Sequence, residues 1–132
     1  MASKTFSYNA SEKLKSRKLL NRIFVEGKSF NAYPLKVLYI IQETASTQNL
    51  AGVGVSSRHF KKAVERNRIK RLLRESYRLQ KKILTDAVLE NQQLVLFFLF
   101  TGKNLSESLM IQEKMPLLME KIVQAIQNKN AN

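Results

Sequence analysis

The chain has no cysteine, and among its 132 residues it holds a single histidine, His59, and a single aspartate, Asp86. The missing thiols exclude disulfides, thiolate zinc sites and cysteine nucleophiles, and they agree with a reducing compartment. One imidazole cannot supply a two-histidine acid–base pair or a metal site built on several imidazoles. Only ten side chains are acidic, against 23 lysines and arginines. Those carboxylates are dispersed along the chain, so the converging set that a two-metal nuclease needs is missing. A serine nucleophile would lack its base and its orienting acid. Long apolar runs are absent as well: "LVLFFLF", Leu94 to Phe100, has seven residues, where a membrane-spanning helix needs about 20. The N-terminal "MASKTFSYNASEKL" is polar and has no apolar stretch of the export type. The expectation is a cytoplasmic protein with no membrane partner, no catalytic centre of its own, no metal ligands and no bound cofactor.

What the chain does have is positive charge, +13 net. Such a field attracts polyanions, and nucleic acid is the first partner it suggests. The length fits one domain, residues 1–132, with an ordered core over about 9–127. Asn9 and Glu12 have the spacing of a capping box, and Leu19, Leu20, Ile23 and Phe24 then follow at helical intervals. Gly27 is expected to close this helix as a left-handed cap. "YPLKVLYIIQ", Tyr33 to Gln42, is β-branched and aromatic, and "NLAGVGVSS" reads as a second strand, the two forming an antiparallel hairpin. A basic helix runs from Phe60 to about Leu84. "QLVLFFLF" is then a buried strand stopped by Thr101 and Gly102. In "MPLLMEKIVQAIQN", Leu118, Ile122 and Ile126 share one helix face, with Pro116 in the first turn. The order α-β-β-α-β-α predicts an α+β two-layer sandwich, a small sheet packed by helices.

The basic helix carries the strongest signal. "FKKAVERNRIKRLLRESYR", Phe60 to Arg78, holds eight lysines and arginines in nineteen residues. At 100° per residue, Ile69, Leu72, Leu73, Ser76, Leu79 and Ile83 fall on one side and should pack on the sheet. Asn67, Lys70, Arg71, Arg74, Arg78, Lys81 and Lys82 fall opposite, with Arg66 and Arg68 on the flanks. Lys70, Arg74, Arg78 and Lys82 stand four apart, and each such like-charged pair costs roughly 0.2–0.5 kcal/mol in the free protein. A solvated helix face ordinarily mixes signs to gain ion pairs. This one stacks a single sign and favours arginine, whose planar fork suits phosphate. A polyanion docking here would relieve the repulsion. A-form RNA has a major groove too narrow for a helix, so an RNA partner would present phosphates and an irregular shape. His59 reads as a loop residue ahead of the helix.

The same stretch resembles the arginine-rich signature of the protein subunit of bacterial ribonuclease P. The matching residues are Ala63, Val64, Arg66, Asn67 and Arg68, continuing into Lys70, Arg71 and Arg74. "RIFVEGKSF", "KVLYII" and "GVGVSS" are similar to the family's first helix and flanking strands, so the resemblance covers about Ser11 to Gln127. It implies a mixed sheet with a left-handed βαβ crossover, a fold shared with a ribosomal-protein domain. It also implies two partners, ribonuclease P RNA and precursor transfer RNA, whose 5′ leader is removed by the RNA with magnesium ions required by the holoenzyme and not held by the protein. Carried over by the resemblance, the RNA-docking face is Lys61, Lys62, Arg66, Asn67, Arg68, Lys70, Arg71, Arg74 and Arg78. A cleft between first helix and sheet, holding the leader as single strand, is implied at Leu20, Phe24, Tyr39, Ser56 and Arg58. Leu20 stands where the family commonly has phenylalanine, and Ser57 where it commonly has lysine. The charge stripe alone also suits a ribosomal or ribosome-assembly protein. A DNA-binding regulator would need a two-helix reading unit and a dimer surface, and neither is visible, so no DNA partner is expected.

Overall fold

The computed structural model describes residues 13–44 and 48–131; Asn9 and Glu12 lie outside them. The elements run α1 (Arg17–Glu26), β1 (Lys28–Ala32), β2 (Leu35–Glu43), β3 (Leu50–Val55), α2 (Ala63–Gln80), α3 (Lys82–Ala87), β4 (Gln92–Phe100), a 3-10 turn (Leu105–Met110) and α4 (Ile111–Ala131). The expected α+β architecture is present, with a fourth strand that the sequence reading did not separate from the first connection. That strand, β1, is "KSFNA", mostly polar and exposed on the sheet edge, and its alternation, Phe30 and Ala32 against Ser29 and Asn31, is too short to mark a strand by itself.

The strands lie in the order β1-β2-β4-β3. The first three pair antiparallel in the order β1, β2, β4, and β3 pairs parallel with β4. The expected hairpin between β2 and β3 is therefore incorrect. β4 inserts between them because it is the most apolar strand and gains a partner on both edges by taking the centre. Its side chains alternate across the sheet. Leu94, Leu96, Phe98 and Phe100 join Leu35, Val37 and Tyr39 of β2 in a core beneath α2 and α4, while Val95 joins Leu38, Ile40 and Ile23 beneath α1. In α4, Ile111, Met115, Leu118, Met119, Ile122 and Ile126 are buried along one face, as the spacing predicts. The helix starts earlier than expected, so Pro116 lies inside it and not in its first turn.

The basic segment differs from its predicted phase. Its buried residues are Ile69, Leu73, Ser76 and Tyr77, whereas Leu79 and Ile83 are about half exposed, at 49% and 47%. The inward direction is shifted by roughly 50° from the leucine-weighted estimate. The reason lies in Tyr77, whose ring packs against Phe98 with centroids 5.6 Å apart, the kind of aromatic contact that outweighs an aliphatic one. The helix also stops at Gln80; Lys81 is buried, not part of the basic stripe, and α3 begins after it.

Gly27 ends α1 in an unexpected way. Its backbone is extended (φ −68°, ψ 151°), not left-handed, and its N–H donates to the Ile23 carbonyl at 2.8 Å. Glycine is needed because a Cβ would run into that carbonyl oxygen and come within 3.2 Å of the Tyr39 carbonyl oxygen. Gly27→Ala is expected to cost about 1–3 kcal/mol through this overpacking. Urea unfolding measures it, and an unchanged midpoint would show that the turn relaxes freely.

Candidate nucleic-acid interface

The residues expected to form a docking face sit on α2 and the loop before it. Ser56, at the end of β3, turns the chain: its hydroxyl accepts the Arg58 N–H at 3.2 Å and its carbonyl accepts the Phe60 N–H at 3.3 Å. Phe60 is buried and packs 5.8 Å from Phe100. This anchors the loop so that Lys61 and Lys62 emerge exposed at the start of α2. Lys62 is the N-cap residue and contributes no side-chain cap.

Arg66 behaves differently from its neighbours. Its Nη1 donates to the Phe60 carbonyl at 2.8 Å and to the Lys61 carbonyl at 2.7 Å, and the residue is half-buried. The guanidinium thus latches the loop to the helix while its remaining N–H groups stay available for another acceptor. Asn67, Arg68, Arg71 and Arg74 are exposed, and Lys70 and Arg78 are half-buried. Arg78 is engaged with Glu75 at 3.5 Å. The centre of the stripe accordingly lies on Asn67, Arg71 and Arg74, with Arg68 on one flank and Lys70 on the other. His59 is an exposed residue of the preceding loop, as expected.

The residues expected to line a leader cleft are only partly brought together. α1 carries Leu20, half-buried, and Phe24, 51% exposed, along one flank. Phe24 meets Phe97 of β4 edge-on, with ring centroids 5.5 Å apart and 61° between planes. The ring of Phe97 lies across β3, where a Cβ at Gly54 would come within 2.6 Å of it and one at Gly52 within 3.2 Å. The result is a partly open aromatic shelf floored by glycine. Ser56 continues the row of Gly52 and Gly54 by strand alternation, and Arg58 is exposed beyond it. Tyr39 does not join them. It shares the opposite sheet face with Leu35 and Val37, is only 4% exposed, and stacks on Phe30 with centroids 5.6 Å apart. Burial raises the pKa of its hydroxyl.

Phe97 is the residue that sequence reasoning missed. Inside "LVLFFLF" it looks like any other core position, and only its pairing with Gly52 of β3 reveals why its ring is left partly uncovered. Among the described residues no three histidine, aspartate or glutamate side chains form a group that could hold a metal ion, and no helix is long and apolar enough to cross a membrane.

A family model for ribonuclease P matches residues 8–122. The chain belongs to the ribonuclease P protein family. The ribonuclease P protein component of Porphyromonas gingivalis is 44% identical over 89 residues, which cover 67% of this chain and 65% of that protein. The alignment thus spans just under two thirds of that relative's length. Among solved structures, the RNase P protein from Thermotoga maritima is 28% identical with a TM-score of 0.58, covering 83% of this chain and 96% of that one. The Staphylococcus aureus RNase P protein reaches a TM-score of 0.60 at 20% identity, over 84% and 94% of the two chains, a likeness of fold. The mixed four-stranded sheet packed by helices is the architecture of these family structures.

The latch separates Arg66 from the other arginines by a stability measurement. Arg66→Ala removes two charge-assisted bonds to loop carbonyls and is expected to lower unfolding free energy by about 1–3 kcal/mol. Arg71→Ala, on the exposed arc, should stay within about 0.5 kcal/mol of the parent. Equal unfolding midpoints for the two variants would refute the latch.

Proposed function

We propose that this protein is the protein subunit of bacterial ribonuclease P, acting in the cytoplasm to promote removal of the 5′ leader from precursor transfer RNA. The observation that carries the reading is the exposed arc of α2, where Asn67, Arg68, Arg71 and Arg74 stand free of the core inside a chain that belongs to the family. This arc docks on ribonuclease P RNA through phosphates. The shelf formed by Phe24 and Phe97 receives leader nucleotides, since stacking on an aromatic face is worth about 1–3 kcal/mol per base and discriminates little between bases. That tolerance suits leaders of varied sequence.

Among the described residues no group of three acidic or histidine side chains could hold a metal ion; in this reading metal chemistry belongs to the RNA, and the protein's part is electrostatic and positional. Catalytic RNA and substrate are both polyanions. A protein of net charge +13 between them lowers their repulsion and thereby the magnesium concentration needed to hold them together. The sheet separates two modes of contact, with charge on α2 fixing the protein to its RNA and stacking on the α1 face holding an unpaired strand.

The decisive test is cleavage of a precursor transfer RNA at low magnesium by a bacterial ribonuclease P RNA, with and without this protein, beside protein alone. Cleavage should be restored only when RNA and protein are both present. Cutting by protein alone would overturn the assignment of catalysis to the RNA, and tight RNA binding without restored cleavage would favour a ribosomal-type RNA-binding role. Neutralising about six to eight phosphates predicts that log affinity for the RNA falls with log salt at a slope of roughly 4–7. Arg71→Ala should reduce that slope by about 1, and a slope near zero in a salt titration of the parent would remove the phosphate-docking reading.

A further inference from the structure

The helix that carries Leu20 and Phe24 is thinly held. Ile23 is the only fully buried residue of α1, with Leu19 partly buried beside it, so the helix sits on the sheet along a narrow line of contact. At 100° per residue, Leu20 and Phe24 lie on one flank of Ile23, and Arg22 and Glu26 lie on the other. A helix seated this way can roll about its axis unless one flank is tied down. With side chains reaching about 5–6 Å from the axis, a roll of 15° would move the Phe24 ring by roughly 1.5 Å. That is enough to open or close its contact with Phe97.

Such a tie is present on the flank away from Phe24. Arg22 Nε meets Glu26 Oε2 at 2.8 Å, and Arg22 Nη1 donates to Gln42 Oε1 at 3.0 Å. Gln42 Nε2 donates to Gln93 Oε1 at 2.6 Å, and Gln93 Nε2 donates to the Gln48 carbonyl at 2.8 Å. The chain of donors runs one way, from α1 through β2 and β4 to the loop before β3, and each amide uses both its oxygen and its nitrogen. Gln42 and Gln93 are paired across the two central strands, and Gln93 is only 6% exposed. A relay ending on a backbone carbonyl in this way is stiff, because every member is oriented by the next.

We infer that Gln42, acting through Arg22, is a positioning residue that sets the roll of α1 and so the spacing of the Phe24–Phe97 shelf that receives single-stranded RNA. The inference rests on the reading of that shelf as the leader site. Gln42 does not touch the RNA; it determines how far apart the two rings stand when a base arrives.

The test compares binding of precursor transfer RNA with binding of the mature, leaderless form by the reconstituted RNA–protein complex. Gln42→Leu removes both links of the relay, and Arg22→Ala cuts it at an exposed residue with little consequence for folding. Each should weaken precursor binding roughly five- to tenfold, a loss comparable to one impaired stacking contact, while mature transfer RNA binds as before. The effect should fall on KM for precursor and leave kcat unchanged. Gln42→Glu keeps an acceptor for Arg22 and should restore selectivity for precursor, although it breaks the onward link to Gln93. Phe24→Ala serves as the reference. If it weakens precursor binding and neither Gln42→Leu nor Arg22→Ala does, the positioning role is overturned. Equal weakening of precursor and mature forms by the relay variants also overturns it, by showing a general loss of structure. If Phe24→Ala itself has no effect on precursor, the leader reading of the shelf fails instead.

Discussion

Everything in this molecule is arranged around β4. It is apolar on both faces, and its place between β2 and β3 gives each of its edges a ladder. Two consequences follow from that single insertion. Because β3 and β4 run parallel, the chain between them must cross over one face of the sheet, and α2 is what crosses. Its inner side is consumed by Ile69, Leu73 and Tyr77 against the sheet and α4, which leaves the arginines nowhere to go except outward. On the other face Val95 and Phe97 of β4, with Leu38 and Ile40 of β2, support α1, and the cover there is thin enough for an aromatic surface to stay open.

The basic helix is built against its own electrostatics. Lys70, Arg74 and Arg78 stand one turn apart, and α2 has Glu65 and Glu75 as its acidic residues. Glu75 offsets Arg78 at 3.5 Å, a partly exposed pair of the kind that contributes little. What holds the helix in place is burial on one side and the Arg66 latch at its start, not pairing on the surface. A face left with unrelieved like charge is less stable than one with mixed signs, and that deficit is recovered only when an anion binds. The same logic explains why one arginine of the Arg66-Asn67-Arg68 triplet is spent on the backbone of the preceding loop: the loop's lysines lie in register with the stripe only if the loop is tied to the helix.

The parts of this design that could be read from residues are those set by local periodicity and charge. The last helix shows its seam in Leu118, Ile122 and Ile126, the buried strand shows itself in "LVLFFLF", and the basic stripe is visible before any fold is known. What could not be read depends on non-local pairing. No property of "NLAGVGVSS" says that β4 will separate it from β2, and without that register Gly52 and Gly54 look like weak points of a strand when they are the floor under Phe97. Tyr39 was misplaced for a related reason: alternation along β2 is clear, but which of its faces meets α1 is decided by Ile23 packing against Leu38 and Ile40. Leu79 lies nearly opposite Tyr77 around α2, so turning the Tyr77 flank inward to gain Phe98 carries Leu79 outward. Gly27 was assigned to the right turn for the wrong cause, since the constraint is a close carbonyl and not a positive φ.

The two RNA-facing surfaces proposed here differ in chemistry and are joined by one strand. β3 passes beneath the Phe97 ring and then feeds through the Ser56 turn and the buried Phe60 into the start of α2. Docking through phosphates is strong at low salt and indifferent to sequence, but it fixes orientation only as well as its scaffold is rigid. Stacking is short-ranged and needs ring positions held to within about an ångström. Placing the charged face on the thick side of the sheet, where α2 and α4 share a large core, and the stacking face on the thin side, where one helix rests on Ile23, assigns rigidity where long-range charge must be aimed. It leaves adjustability where a variable strand must be accepted. The glutamine relay from Arg22 to Gln48 then limits that adjustability, because the flank of α1 opposite Phe24 is tied through β2 to β4, the strand that carries Phe97.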